Sequence, residues 1–96
     1  DGRVSAVVGS HTHVQTADER ILPGGTAYIT DIGMTGSYSG VIGMNKDHVL
    51  ERFTKVPARR ADHSKGCVWI CAVCIEVDET TGKALNMERI KIELGD

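Results

Sequence analysis

The residues best suited to chemistry are two histidines, His11 and His13, in the segment Ser-His-Thr-His-Val-Gln. Imidazole nitrogens are common metal ligands, and residues two apart on an extended segment point to the same side. Both side chains could therefore bind one metal cluster. The alternative is that two exposed loop histidines simply lie near one another, and the short His-x-His pattern does not decide between these interpretations.

Two histidines do not complete a metal site. A catalytic zinc ion needs about three protein ligands, and a binuclear site needs more, usually with a bridging carboxylate. Asp18 and Asp31 are the nearby acidic candidates. We predict that Asp18 caps the histidine loop and that Asp31 either accepts N–H groups of the glycine-spaced residues 33–40 (the glycine loop) or orients a histidine. A direct ligand role for either aspartate is the weaker alternative, so the missing ligands must come from elsewhere.

Three cysteines with the spacing Cys67-x3-Cys71-x2-Cys74 match the pattern by which radical SAM enzymes hold an iron–sulfur cluster. Cluster cysteines need a flexible loop so that three thiolates converge. This run is instead apolar and strand-like, which puts Cys67 and Cys71 on one face and Cys74 on the other. We therefore interpret all three as buried structural residues.

The two remaining histidines are isolated in the sequence. His48 lies on a predicted helix and His63 in a polar connector, so a solvated structural role is the simpler interpretation for both. A zinc site formed by His63 and two of the cysteines stays open, although thiolates of a buried strand would have to turn toward one point.

The composition of the 96 residues is ordinary for a globular chain, with 41% apolar and 25% charged residues. A net charge of -2 lacks the basic stripe of a nucleic-acid-binding protein. The longest apolar run, Cys67 to Ile75, is far shorter than the ~20 residues of a membrane-spanning helix. Three cysteines form no disulfide framework and no signal peptide is visible, which favours the cytoplasm. The chain enters a strand pattern almost at once, so we expect it to be part of something longer.

The hydrophobic pattern predicts the element order βββαββ. A buried strand precedes the histidine loop, two short strands surround a Pro-Gly-Gly turn, and a helix of about two turns follows the glycine loop. The chain then ends in a long β-hairpin. The predicted strands are residues 4–8, 20–22, 26–30, 67–77 and a last strand around 90–94, and the predicted histidine loop is residues 10–18.

Two of these elements carry positional signals. Asn45 is a typical helix N-cap and Asp47 complements the helix dipole, whereas Pro57 limits the length of the helix. In the last strand apolar side chains alternate with charged ones, which predicts one buried face and one solvated face. The apolar positions are Ile90, Ile92 and Leu94, and the charged ones are Lys91 and Glu93.

A family resemblance appears at the histidine segment. Gly9-Ser-His-Thr-His-Val-Gln-Thr-Ala-Asp-Glu19 is similar to the Gly-x-His-x-His motif that closes calcineurin-like metallophosphoesterases. The continuation from Arg20 to Gly36, through Leu-Pro-Gly-Gly-Thr-Ala-Tyr-Ile-Thr-Asp-Ile-Gly-Met-Thr, resembles the YmdB-like branch of bacterial phosphodiesterases. Val41-Ile-Gly-Met44 and the turn Glu76–Ala84 fit the same branch. The resemblance extends over nearly the whole chain and is weakest between Pro57 and Cys67.

The resemblance implies an α/β (α+β) fold, in which this chain is part of a four-layer α/β/β/α sandwich. It implies that residues 1–96 are mostly β with one short helix. They would be the C-terminal portion of a single metallophosphoesterase domain that is incomplete alone. The family's upstream aspartate, bridging glutamate, Asn-His pair and a further histidine have no counterpart here, so no catalytic residue is expected within these 96 residues.

The implied chemistry is hydrolysis of a small-molecule phosphodiester, 2′,3′-cyclic nucleotides being the favoured class, by a hydroxide that bridges two metal ions. Iron or manganese is expected, with zinc as an alternative. By position in the motif, His11 should ligate one metal and His13 the other. Backbone carbonyls of the glycine loop are available to orient their second ring nitrogens. The full-length protein is expected to be a homo-oligomer and not to associate with membranes.

Two hypotheses about function follow. The first is a metal-dependent phosphodiesterase or phosphatase that is active only with an upstream portion present, so that the isolated chain is inactive. The second is a non-catalytic metal-binding or oligomerisation module derived from the same family. Metal content and hydrolysis of a cyclic nucleotide would separate them.

Overall fold

The computed structural model of the chain describes residues 1–47, 49–50 and 65–95. Within these residues six strands form two three-stranded sheets, with the orders β1-β3-β2 and β4-β5-β6. The strands are β1 (Ala6–Val8), β2 (Arg20–Ile21), β3 (Ala27–Ile29), β4 (Gly36–Ser37), β5 (Val68–Val77) and β6 (Ala84–Gly95). No helix of the described residues is long and apolar enough to cross a membrane.

The first sheet brings the histidine loop to the end of the central strand β3. β1 pairs with β3 in parallel, and β2 pairs with it in antiparallel orientation. Ala27 and Ile29 of β3 are fully buried, as expected for a central strand. Because the carboxyl ends of parallel strands meet at one edge, the residues that follow β1 and β3 become neighbours.

Gly9 allows the end of β1 to lie close to the end of β3. Its N–H donates to the Ile29 carbonyl at 3.2 Å, and its carbonyl accepts from the Ile32 N–H at 2.9 Å. A Cβ atom at residue 9 would lie only 2.1 Å from the Thr30 carbonyl oxygen. Only glycine therefore fits between the end of β1 and the end of β3.

The second sheet is built on the predicted terminal hairpin, which the structure confirms. β5 and β6 pair from Val68 opposite Gly95 to Val77 opposite Ala84. The connecting turn is closed by the Gly82 N–H, which donates to the Asp78 carbonyl at 2.7 Å. The short strand β4, which the sequence did not predict, forms inside the glycine loop because Gly36 and Ser37 pair with the start of β5.

Two predictions of buried faces were wrong. Val7 and Val8 of β1 are 48% and 46% exposed, and Ile92 and Leu94 of β6 are 48% and 59% exposed. The alternating pattern is present, but the described residues provide no second layer that packs on these faces. The apolar core of the described part is accordingly small, with Ala27, Ile29, Cys71 and Ala84 as its buried members.

The start of the predicted helix is confirmed at its cap. The Asn45 Oδ1 atom accepts from the Asp47 N–H at 2.9 Å, and the Val49 N–H donates to the Asn45 carbonyl at 3.1 Å. This is the geometry of an N-cap followed by a first helical turn. Pro57, His48 and His63 lie outside the described residues.

Candidate metal centre

The Asp31 carboxylate organises the loop that carries the two histidines. Its Oδ2 atom accepts from the His11 N–H at 3.0 Å, from the Thr12 N–H at 2.7 Å and from the Thr12 hydroxyl at 2.7 Å. Its Oδ1 atom accepts from the Gly33 N–H at 2.8 Å. Asp31 thereby joins the histidine loop to the glycine loop, which confirms the predicted role as an acceptor of glycine-loop N–H groups.

The same contacts stabilise the charged form of Asp31, whose side chain is only 1% exposed. The hydrogen bond from the Thr12 hydroxyl is the largest cause that holds the pKa of this carboxyl well below its usual range. The backbone N–H groups of His11, Gly33 and Thr12 add to that effect, and burial opposes it. A buried carboxylate with this many donors stays ionised at neutral pH.

His13 is held in one orientation. Its Nδ1 atom lies 2.7 Å from the Ile42 carbonyl oxygen. Because a carbonyl oxygen only accepts, Nδ1 carries the proton, and the lone pair of the neutral ring is then on Nε2. An imidazole whose second nitrogen donates to a backbone carbonyl is the usual arrangement of a metal-ligating histidine. A backbone carbonyl thus orients His13, but it belongs to Ile42, just beyond the predicted glycine loop.

The backbone of the histidine segment differs from the prediction. Residues 11–14 form a bend, and His13 has a left-handed φ of 67°. The extended conformation assumed from the sequence is therefore wrong, because the Asp31 carboxylate draws the His11 and Thr12 N–H groups toward one point. The spacing of two residues therefore no longer implies that both imidazoles point to the same side. The two histidines remain adjacent, with His11 exposed and His13 half-buried.

These donors fit one edge of a metal centre. A neutral imidazole with a fixed tautomer suits iron, manganese or zinc. Within residues 1–47, 49–50 and 65–95, no group of three or more His, Cys, Asp or Glu side chains could hold a metal ion. His11 and His13 could therefore supply only some of the ligands, and a binuclear site requires further ones.

Asp18 is used elsewhere, as predicted for a loop-capping residue. It accepts from the Thr16 hydroxyl at 2.6 Å and from both the N–H and the hydroxyl of Thr30. The Thr16 and Thr30 hydroxyls lower the pKa of Asp18 to about 2. This carboxylate closes the loop onto the end of β3.

Tyr38 connects the histidine loop to the hairpin, and sequence reasoning missed it. Its hydroxyl accepts from the Met34 N–H at 3.0 Å and lies 3.2 Å from the His13 carbonyl oxygen and 3.2 Å from the Cys71 Sγ atom. Burial is the largest cause that raises its pKa. Its ring stacks on Trp69 at 4.3 Å between centroids. The one available signal was the scarcity of aromatic residues, at 4% of the chain.

Gln15 makes a second connection to the hairpin. Its Nε2 atom lies 3.1 Å from the Ala72 carbonyl oxygen and 3.2 Å from the Ile90 carbonyl oxygen. Ala72 and Ile90 face each other across β5 and β6. One amide group therefore ties the histidine loop to both strands of the hairpin.

The cysteines form no cluster in the described part of the chain. Cys71 is buried, whereas Cys67 and Cys74 are exposed, so the prediction that all three are buried was wrong for two of them. Cys67 precedes β5 and has a φ of 47°, and Cys74 faces away from Cys71. The alternative zinc site with His63 involves a residue outside the described part.

The two lowered aspartate pKa values predict a loss of stability in acid. A carboxyl with a lower pKa in the folded state contributes fully above its unfolded pKa of about 4, and the contribution is lost as the pH falls through the folded value. We expect the free energy of unfolding, measured by urea titration, to decrease from about pH 5 toward pH 2. The Asp18→Asn variant should show a shallower decrease, and an unchanged slope would contradict this assignment.

The chain is similar over most of its length to known proteins. A family model described as YmdB-like protein matches residues 1–90. The chain is 55% identical over 93 residues to a 2′,3′-cyclic-nucleotide 2′-phosphodiesterase of Bacillus subtilis, a match that covers 96% of this chain and 35% of the relative. It is 41% identical to a putative phosphatase/phosphodiesterase of Mycoplasma pneumoniae, covering 96% of this chain and 33% of that protein.

Solved structures agree with these matches. A crystal structure of a novel phosphatase of Mycoplasma pneumoniae superimposes with a TM-score of 0.90 at 40% identity, covering 99% of this chain and 34% of that one. A hypothetical protein from Thermus thermophilus superimposes with a TM-score of 0.89 at 36% identity, covering 97% and 36%. The predicted fold class is confirmed as a mostly β part of an α/β phosphatase fold. The chain spans about a third of the length of the curated relatives it matches.

Proposed function

Because the chain belongs to the YmdB-like protein family, we propose that it forms part of a metal-dependent phosphodiesterase or phosphatase. We propose 2′,3′-cyclic nucleotides as its substrates, since the relative that is 55% identical is named for hydrolysis of these compounds. His11 and His13 would each supply one metal ligand. The Asp31 carboxylate and the Ile42 carbonyl would keep them in place.

The observation that carries this proposal is the hydrogen bond between His13 Nδ1 and the Ile42 carbonyl. This bond leaves Nε2 as the ring nitrogen that can bind a metal, and it restricts rotation of the imidazole ring. A solvated loop histidine would hydrogen-bond to water, whereas His13 Nδ1 bonds to a backbone carbonyl 29 residues away in the sequence. The left-handed φ of His13 is also energetically unfavourable for a residue other than glycine, so the surrounding structure must stabilise it.

Two metal ions, when bound, would lower the pKa of water and neutralise charge on the phosphoryl oxygens. The contribution of this chain is positional. Asp31 holds the His11 and Thr12 backbone, Tyr38 contacts the His13 carbonyl, and Gln15 fixes the loop to the hairpin. Such positioning matters because small displacements of reacting groups cost large factors in rate.

We propose that the other metal ligands and the proton donor for the leaving group lie outside residues 1–96. The chain would then be the C-terminal portion of one metallophosphoesterase domain. Its span of about a third of the curated relatives supports this arrangement. We further propose iron or manganese as the metal and a homo-oligomer in the full-length form. We also propose a cytoplasmic location, because three cysteines are an odd number without a disulfide framework.

The test uses a chimera in which residues 1–96 replace the matching segment of the Bacillus subtilis relative, which is 55% identical. We expect the chimera to hydrolyse 2′,3′-cyclic AMP when loaded with Mn²⁺ or Fe²⁺, and to lose activity on treatment with a chelator. The isolated 96 residues should be inactive under the same conditions.

Both other outcomes are informative. A folded, metal-loaded chimera without hydrolytic activity would contradict the proposed enzyme function and favour the non-catalytic module. Hydrolysis by the isolated chain would show that the remainder of the site is not required. The natural relative, expressed in parallel, controls for metal loading and assay conditions.

A further inference from the structure

We propose that the cavity beside His13 binds the nucleobase of the substrate, which rests on the function proposed above. The cavity has a volume of about 370 Å³. Small-molecule sites typically occupy 300–1,000 Å³, so this cavity can hold one heteroaromatic base. Its described lining consists of His13, Met34, Thr35, Gly36, Ser37, Ile42, Gly43 and Met44.

The lining has the chemistry of a base-binding site. Met34, Ile42 and Met44 supply apolar surface, and the described lining residues include no Lys, Arg, Asp or Glu. Thioether sulfurs make favourable contacts with aromatic rings, so the two methionines suit a flat heteroaromatic group better than a sugar or a second phosphate. Thr35 and Ser37 are the hydroxyl-bearing residues of the described lining, and the Ser37 hydroxyl already donates to the Gly66 carbonyl.

The position of the cavity connects it to the candidate metal centre. A Cβ atom at residue 43 would lie 3.0 Å from the Met34 Sδ atom and 4.0 Å from His13 Nδ1. The Met34 thioether and the His13 ring therefore lie close together across Gly43. The cavity adjoins the Nδ1 side of the His13 ring, and a metal on Nε2 would lie across the same ring. A phosphodiester held at that metal would therefore lie within the length of one nucleotide from this cavity.

Gly36 offers a direct test. A Cβ atom at this residue would meet nothing within 4 Å, and its φ lies outside the left-handed region. A leucine is therefore tolerated by the backbone, and it also suits β4 better than glycine does. Because Gly36 lines the cavity, we expect a leucine side chain at this residue to occupy part of it.

The experiment measures base preference in the chimera. Base preference is the ratio of kcat/KM for 2′,3′-cyclic AMP to kcat/KM for the abasic 1-O-methylribose 2′,3′-cyclic phosphate. We expect wild type to prefer the nucleotide by at least about tenfold and Gly36→Leu to reduce that preference by about tenfold. Thr80→Leu, which adds the same side chain in the exposed hairpin turn, should leave the preference unchanged.

The possible results separate this inference from the function on which it rests. An equal kcat/KM for the two compounds in wild type, or an unchanged preference in Gly36→Leu, overturns the base site and leaves the phosphodiesterase function standing. A wild-type chimera inactive on both compounds overturns the function itself. If Gly36→Leu does not fold, Met44→Ala removes part of the apolar wall. It should lower the preference by at least about threefold, and an unchanged preference there overturns the inference equally.

Discussion

Replacing His13 with alanine in the chimera is expected to lower kcat/KM for 2′,3′-cyclic AMP by at least about a hundredfold, and His11→Ala by a similar factor. Loss of a residue that merely orients a metal ligand typically costs about 10–100-fold, and loss of the ligand itself should cost more. The measurement is steady-state kinetics at saturating Mn²⁺. Raising Mn²⁺ above the concentration that saturates wild type should restore part of the activity of a single variant, because one ligand of the site is missing and the others remain.

The matched control is His63→Ala, a histidine for which the sequence predicts a solvated role. It should retain activity within about twofold of wild type, because a histidine in that role contributes no metal ligand. If His13→Ala resembled this control, the bond between Nδ1 and the Ile42 carbonyl would be structural only. The metal-ligand assignment would then be untenable.

The second large effect is expected at Asp31. Substitution by alanine leaves the backbone N–H groups of His11, Thr12 and Gly33 without their acceptor. An unsatisfied buried donor costs about 1–3 kcal/mol, and solvent can reach part of this loop, so we expect a loss of about 2–4 kcal/mol in the free energy of unfolding. Activity should fall as well, because the backbone of His11 is no longer fixed. Urea titration of the chimera and its kinetics measure the two effects.

Asp78→Ala is the control for this prediction. The Asp78 carboxylate also accepts backbone N–H groups, from Thr80 at 2.8 Å and Thr81 at 3.3 Å, but in the exposed hairpin turn. It should cost less stability than Asp31→Ala and should leave kcat/KM unchanged. Equal effects of the two alanine variants on activity would contradict a role for Asp31 in positioning the histidine loop.

Local patterns predicted the elements of this chain well. The alternation and the turn residues after Cys67 predicted the hairpin, and Asn45 predicted the start of the helix. Burial was predicted less well, because exposure of a side chain depends on what packs against it. Val7 and Leu94 have the pattern of buried strand residues, yet no described residue covers them.

The sequence predicted the residue types of the candidate site but not its geometry. His-x-His and the nearby aspartates were visible as chemistry, but the bend at His13 depends on Asp31, 20 residues from His11. The contacts of Tyr38 and Gln15 cross even longer distances in sequence, up to 75 residues from Gln15 to Ile90. No local pattern encodes such contacts, since they arise when the loop docks on the hairpin.

We propose above all that His11 and His13 are metal ligands of a two-metal centre completed by residues outside this chain. Elemental analysis of the purified chimera, wild type beside the His11→Ala/His13→Ala double variant, tests it most directly. We expect about two metal ions per chain in wild type and at most about half that content in the double variant, with both proteins folded by circular dichroism. An unchanged metal content in the double variant would contradict the claim.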